Sequence, residues 1–84
     1  MEKILRLPAV IELTGKTRSP LYADIQAGLF TKPVKLGARA VGWPLSEVSH
    51  VIDARISGQS NERICELVKR LHAKRTEQHK GVVG

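Results

Sequence analysis

Hydrophobic positions along this chain come in blocks separated by glycine and proline, and each block keeps its own period. In the first block Val10, Ile11, Leu13 and Thr14 follow Pro8 and stop at Gly15. Proline suits the first turn of a helix, where its missing N–H has no partner to lose. Glycine readily takes the left-handed conformation that closes one. The block therefore predicts a short helix over residues 8–14. In the second block Leu21, Tyr22 and Ile25 keep helical spacing, with Thr17 at the N-cap position, Pro20 in the first turn and Gly28 at the end. Only Gly15-Lys16-Thr17 separates the two. Helix, short glycine-containing turn, helix is the pattern of a helix-turn-helix.

The period then changes. Val34-Lys35-Leu36 and Val41-Gly42-Trp43 alternate, and Gly37-Ala38-Arg39-Ala40 lies between them, so the stretch reads as a β-hairpin closed by Pro44. A hairpin directly after a helix-turn-helix is a wing. Ser46-Glu47 opens a third helix whose apolar stripe is Val48, Val51, Ile52 and Ile56. Ser57-Gly58-Gln59-Ser60-Asn61 breaks it. A fourth helix over residues 61–75 carries Ile64, Leu67, Val68 and Leu71 on one face and Arg63, Glu66, Lys69, Arg70 and Lys74 on the other. That stripe can cover the domain's own core or pair with a second copy; the periodicity does not choose. Ser46 and Ser60 read as helix caps.

The expected fold is mainly α with a small β-hairpin. Residues 1–58 form a winged helix-turn-helix, 59–75 an additional C-terminal helix, and 76–84 a disordered tail. The expected core is Leu5 or Leu7, Val10, Leu13, Leu21, Ile25, Phe30, Val34, Leu36, Trp43, Val48 and Ile52.

Composition narrows the function. A chain of 84 residues makes one small core with little room for an enclosed substrate cavity. The single cysteine, Cys65, excludes an intramolecular disulfide framework and a multi-cysteine zinc site, and fits a reducing, cytoplasmic setting. No apolar run is long enough for a membrane span, and Glu2 and Glu12 interrupt any secretory signal pattern. His50, His72 and His79 have no metal-ligand spacing, the glycines form no phosphate loop, and no carboxylate pair faces a cleft. No catalytic residue, metal, cofactor or small-molecule ligand is expected.

Charge does change the picture. Lys and Arg total 14 against 8 Asp and Glu, a net +6, which matters because the excess is clustered. Residues 31–44 carry Lys32, Lys35 and Arg39 and no acid. Such a segment is either a surface facing a polyanion or a solvated basic loop. In a helix-turn-helix the start of the second helix enters the major groove. The candidate DNA contacts are therefore Lys16, Thr17, Arg18, Ser19, Tyr22 and Gln26 around the second helix, with Lys35 and Arg39 on the wing. Arg18 can reach a guanine bidentately or pair with a phosphate. Tyr22 can pack its ring on the core, with or without its hydroxyl on a phosphate. Lys35 suits a phosphate, and Arg39, near the hairpin tip, can enter a minor groove. Asp24 would repel phosphate and is expected on the face turned away.

An ordered set of short strings carries a further signal. Leu5-Arg6-Leu7-Pro8-Ala9-Val10, Thr14-Gly15, Arg18-Ser19, Leu21-Tyr22, Gly28, Phe30, Lys32-Pro33-Val34-Lys35-Leu36-Gly37, Arg39, Val41-Gly42-Trp43 and Ser46-Glu47-Val48 together resemble the AlpA family of phage- and prophage-type regulators. That family is related in fold to phage excisionases and to the DNA-binding part of MerR-type regulators. The resemblance spans residues 4–56. It implies a winged helix-turn-helix that binds double-stranded DNA as a sequence-specific transcriptional regulator or excision factor, with copies able to sit side by side on the duplex. The chain departs from the family pattern at Pro20, Ala23, Thr31, Pro44 and Val51; at Ala23 and Pro44 family members commonly carry basic residues. A different class also fits: an adaptor that keeps the fold and docks a partner through the fourth helix. RNA binding fits less well, since Tyr22, Phe30 and Trp43 are the only aromatics available for stacking.

Overall fold

A computed structural model describes residues 2–78. Its elements in chain order are β1 (Ile4–Leu5), α1 (Leu7–Thr14), α2 (Arg18–Gln26), β2 (Val34–Lys35), β3 (Val41–Pro44), α3 (Leu45–Ile56) and α4 (Asn61–Gln78). The α1–α2 turn forms as its residues dictate. Gly15 sits at φ 72°, a conformation that a β-carbon would strain, and its N–H donates to the Ile11 carbonyl at 2.9 Å. Thr17 occupies the N-cap position of α2 in extended conformation, but its side chain makes no capping bond.

The hairpin is part of a three-stranded antiparallel sheet. β3 is the central strand, with β1 and β2 on either side. Leu5 pairs with Trp43 and Ile4 with Pro44, while Val34 pairs with Gly42 and Lys35 with Val41. β1 is two residues long, too short to show alternation, and for that reason its strand character is not visible in the sequence. Gly42 is required by close approach. A β-carbon there would overlap the Ile4 side chain and lie 3.0 Å from the Leu5 carbonyl oxygen.

Pro44 does more than close the hairpin. It ends β3 and stands at the N-cap position of α3, where it has no side-chain donor or acceptor to offer. The start of α3 is satisfied from the N-terminal segment instead. The Leu45 N–H donates to the Lys3 carbonyl at 2.8 Å, and the Ser46 N–H donates to Glu2 Oε1 at 2.8 Å. Ser46 is thus inside the helix rather than its cap. Ser60 does cap α4, accepting from the Arg63 N–H at 3.2 Å.

The core holds Leu5, Val10, Leu21, Phe30, Trp43, Val48, Val51, Ile64, Val68 and Leu71. Three of these come from α4, so its stripe covers the domain's own core. Two expected core residues lie outside. Leu36 is 45% exposed because it leans over Gly42, beside Ile4, on the face of the sheet opposite buried Trp43. Leu13 is 51% exposed, and with Ile52 and Ile56 it lines an open cleft between α1 and α3. Ile25, Val34 and Ile52 are half-buried. α4 continues through Gln78, three residues into the stretch expected to be a tail; residues 79–84 lie outside the described residues. No helix among the described residues is long and apolar enough to cross a membrane.

Candidate nucleic-acid interface

α2 buries Leu21 and leaves Arg18, Ser19, Pro20, Ala23 and Gln26 exposed. The helical period puts Ser19, Ala23 and Gln26 on one outward face, which is polar but uncharged. Arg18 lies at its edge, with its guanidinium carbon 5.9 Å from the centroid of the Tyr22 ring. That distance is within cation–π range, so Arg18 is partly ordered before any partner arrives. Tyr22 is half-buried and meets Trp43 edge-on, with ring centroids 6.4 Å apart and planes at 73°. The aromatic contact ties the second helix to the central strand of the sheet.

Lys35 and Arg39 are exposed on the hairpin. The loop between its strands is closed by a 2.7 Å bond from the Leu36 N–H to the Ala40 carbonyl. Neither cation has an ion-pair partner among the described residues. Arg18, Ser19, Tyr22 and Gln26 therefore share α2, and Lys35 and Arg39 stand on the hairpin joined to it through Trp43.

Lys16 is placed otherwise. Its ammonium forms an ion pair with Asp24, and Arg55 at the end of α3 lies 3.7 Å from the same carboxylate. These cations neutralise the one acidic group of α2 and fasten the turn to the helix. The turn is also braced locally. The Thr14 hydroxyl donates to the Val10 carbonyl at 2.8 Å and accepts from the Lys16 N–H at 3.3 Å.

Sequence reasoning missed a second polar network at the root of the hairpin. The Trp43 Nε1–H donates to the Thr31 carbonyl at 2.9 Å. The Lys32 N–H donates to His72 Nε2 at 3.0 Å, and the Lys32 carbonyl accepts from Arg75 Nη2 at 2.6 Å. Arg75 also pairs with Glu47, which is only 5% exposed. Burial is the main reason that the His72 imidazole is held below its ordinary pKa, with the positive charges of Arg75 and Lys32 adding to it against Glu47. No sequence pattern marks these partners, because they are brought together from α3, α4 and the α2–β2 connection. Among the described residues no group of His, Cys, Asp or Glu is placed to hold a metal ion.

Two short helices around a glycine turn, carried beside a three-stranded antiparallel sheet, make the framework of a small helix-turn-helix-like domain. The chain belongs to the AlpA family of phage regulatory proteins. Residues 3–56 match the family described as prophage CP4-57 regulatory protein (AlpA). It is 41% identical over 58 residues to the uncharacterized protein ORF88 of Enterobacteria phage P4, a match covering 69% of this chain and 66% of that protein's length. It is 36% identical over 59 residues to the DNA-binding transcriptional activator AlpA of Escherichia coli (strain K12), covering 63% of this chain and 84% of that protein. No solved structure matches the chain. The family match ends before α4 begins.

Proposed function

We propose that this chain binds double-stranded DNA as a transcriptional regulator or excisionase-like factor, and that it does so as a winged helix-turn-helix. α2 enters the major groove. Its outward face presents Ser19 and Gln26 to base edges, and Arg18 reaches a guanine or a phosphate from the edge of that face. Thr17, extended at the head of the helix with its side chain making no capping bond, donates to a phosphate. The hairpin lies on the adjacent groove or backbone through Lys35 and Arg39.

The observation that carries the reading is the Tyr22–Trp43 contact. It joins a helix bearing Arg18 to the central strand of a hairpin whose Lys35 and Arg39 have no ion-pair partner among the described residues, and so brings two elements to one side of a duplex. The similarity to the Escherichia coli DNA-binding transcriptional activator AlpA supports the same reading. Ion-paired Lys16 contributes to the turn rather than to phosphate binding. The apolar stripe of α4 packs on the chain's own core, so an adaptor would dock its partner through the polar face of that helix.

Titration of a random-sequence duplex at several salt concentrations tests this. With Lys35 and Arg39 at phosphates, log affinity falls against log salt with a slope of roughly −2, steepening to roughly −3 where Arg18 takes a phosphate instead of a guanine. A flat response overturns the proposal. With a steep response, selection of bound sequences from random duplexes gives the site.

A further inference from the structure

The two backbone polar groups of Lys32 are both taken by side chains of α4. Lys32 lies between α2 and β2, and next to it Pro33 has no N–H to give. His72 accepts from the Lys32 N–H and Arg75 donates to the Lys32 carbonyl, one turn apart on the same helix. The carbonyl before them, on Thr31, is held by Trp43. Three successive backbone groups at the hairpin root are thus bound by three side chains. Beyond them β2 has a ladder of only two residue pairs, Val34 with Gly42 and Lys35 with Val41.

We propose that Arg75 and His72 are positioning residues for the hairpin, and that α4 is a strap across its root which sets where Lys35 and Arg39 stand. The inference rests on the winged reading above. Arg75 suits the task because its guanidinium is itself fixed: Nε donates to Glu47 Oε2 at 2.7 Å and Nη2 to Glu47 Oε1 at 2.5 Å. Glu47 sits in the first turn of α3, so the strap ties the hairpin root to α3 as well as α4. His72 suits it because only the neutral ring can accept from Lys32. The charged groups facing that ring are Arg75 on its own helix, Glu47 on α3 and Lys32 on the connection. A hairpin with so short a ladder does not hold its own orientation; losing its root contacts frees it to move relative to α2.

The full chain tests this in three variants. His72→Gln keeps an acceptor, His72→Leu removes it, and Arg75→Lys keeps the charge near Glu47 while giving up the planar fork. Two quantities are read: hydrogen exchange at the Lys32 amide and across residues 34–41, and affinity for a random-sequence duplex. His72→Leu and Arg75→Lys are expected to speed exchange at the hairpin and weaken duplex binding by about five- to tenfold, the worth of one or two hydrogen bonds. His72→Gln is expected to restore both. The proposal is overturned if His72→Leu exchanges and binds like the parent, or if His72→Gln behaves like His72→Leu, which would make the ring mere packing. If the parent chain binds no duplex, the DNA reading fails by itself, while Lys32 exchange still decides whether α4 straps the root.

Discussion

Glu47 and Arg75 form a two-bond ion pair across 28 residues of sequence, at 2.7 and 2.5 Å. Glu47 is buried, whereas the Arg75 side chain is 26% exposed. A buried carboxylate is tolerated only when its charge is met. Here it is met by a helix that lies beyond the residues shared with the family.

Removing one member of the pair should therefore cost more than removing both. Arg75→Met is expected to destabilise the chain by about 2–3 kcal/mol, below the range for a fully buried pair because water reaches Arg75. Glu47→Gln with Arg75→Met should recover most of that loss. Urea unfolding of the two single variants and the double variant gives the coupling energy. Additive effects would mean that the two groups do not interact.

Trp43→Ala should unfold the domain rather than disable it selectively. The ring is fully buried, carries the Thr31 bond and braces Tyr22. Truncating a buried Trp costs about 3–5 kcal/mol, comparable with the lower end of whole-domain stability, about 5 kcal/mol. Circular dichroism on the variant checks this. A folded variant that merely lost DNA binding would show that the ring is a contact residue.

Thr31 is fully buried and its hydroxyl has no hydrogen-bond partner among the described residues. Replacing it with valine removes an unsatisfied polar atom at nearly constant shape. Thr31→Val is expected to raise stability by about 1 kcal/mol. A lower denaturation midpoint for the variant would mean that the hydroxyl is satisfied in solution.

The cations should divide into two groups by salt dependence. Arg39→Ala is expected to make the slope for duplex binding shallower by about one and to leave stability unchanged. Arg18→Ala should cost roughly 1–3 kcal/mol and relax sequence preference at one position. Lys16→Ala should leave the slope nearly unaltered, since that charge is already paired with Asp24. Binding isotherms over a salt series separate the three, and a full unit of slope lost in Lys16→Ala would place Lys16 on the phosphates.

His72 should make the fold weaker in mild acid. Its pKa is lowered from the usual 6.5, so the folded state prefers the neutral ring. The stabilisation is present above the unfolded value and is lost as pH falls through the lower folded value. Urea midpoints at about pH 7.5 and about pH 5 should diverge more for the parent than for His72→Gln. Equal divergence would assign the acid sensitivity to the carboxylates, Glu2 on the Ser46 N–H among them.

Local chemistry determined the helices and the hairpin of this protein. Gly15, Pro8 and Pro20 punctuate α1 and α2, and the stripes through Val48 and Ile64 define α3 and α4, because periodicity and turn residues act within a few positions of the chain. The outward face of α2 and the cations of the hairpin follow from the same local order. Tertiary structure decided which side chains meet. β1 exists only because β3 offers it a partner, and Glu2 caps α3 because the Ile4–Pro44 pairing brings the N-terminal segment beside Ser46. Packing brought Lys16 against Asp24 and made Arg75 the tie between Glu47 and Lys32. Leu13 and Leu36 have the residue type and spacing of a core and remain exposed, because the helices cover one face of the sheet and α1 stops short of α3. Periodicity says which face of an element is apolar; what covers that face depends on how distant elements pack, and that distance is not written in any local pattern.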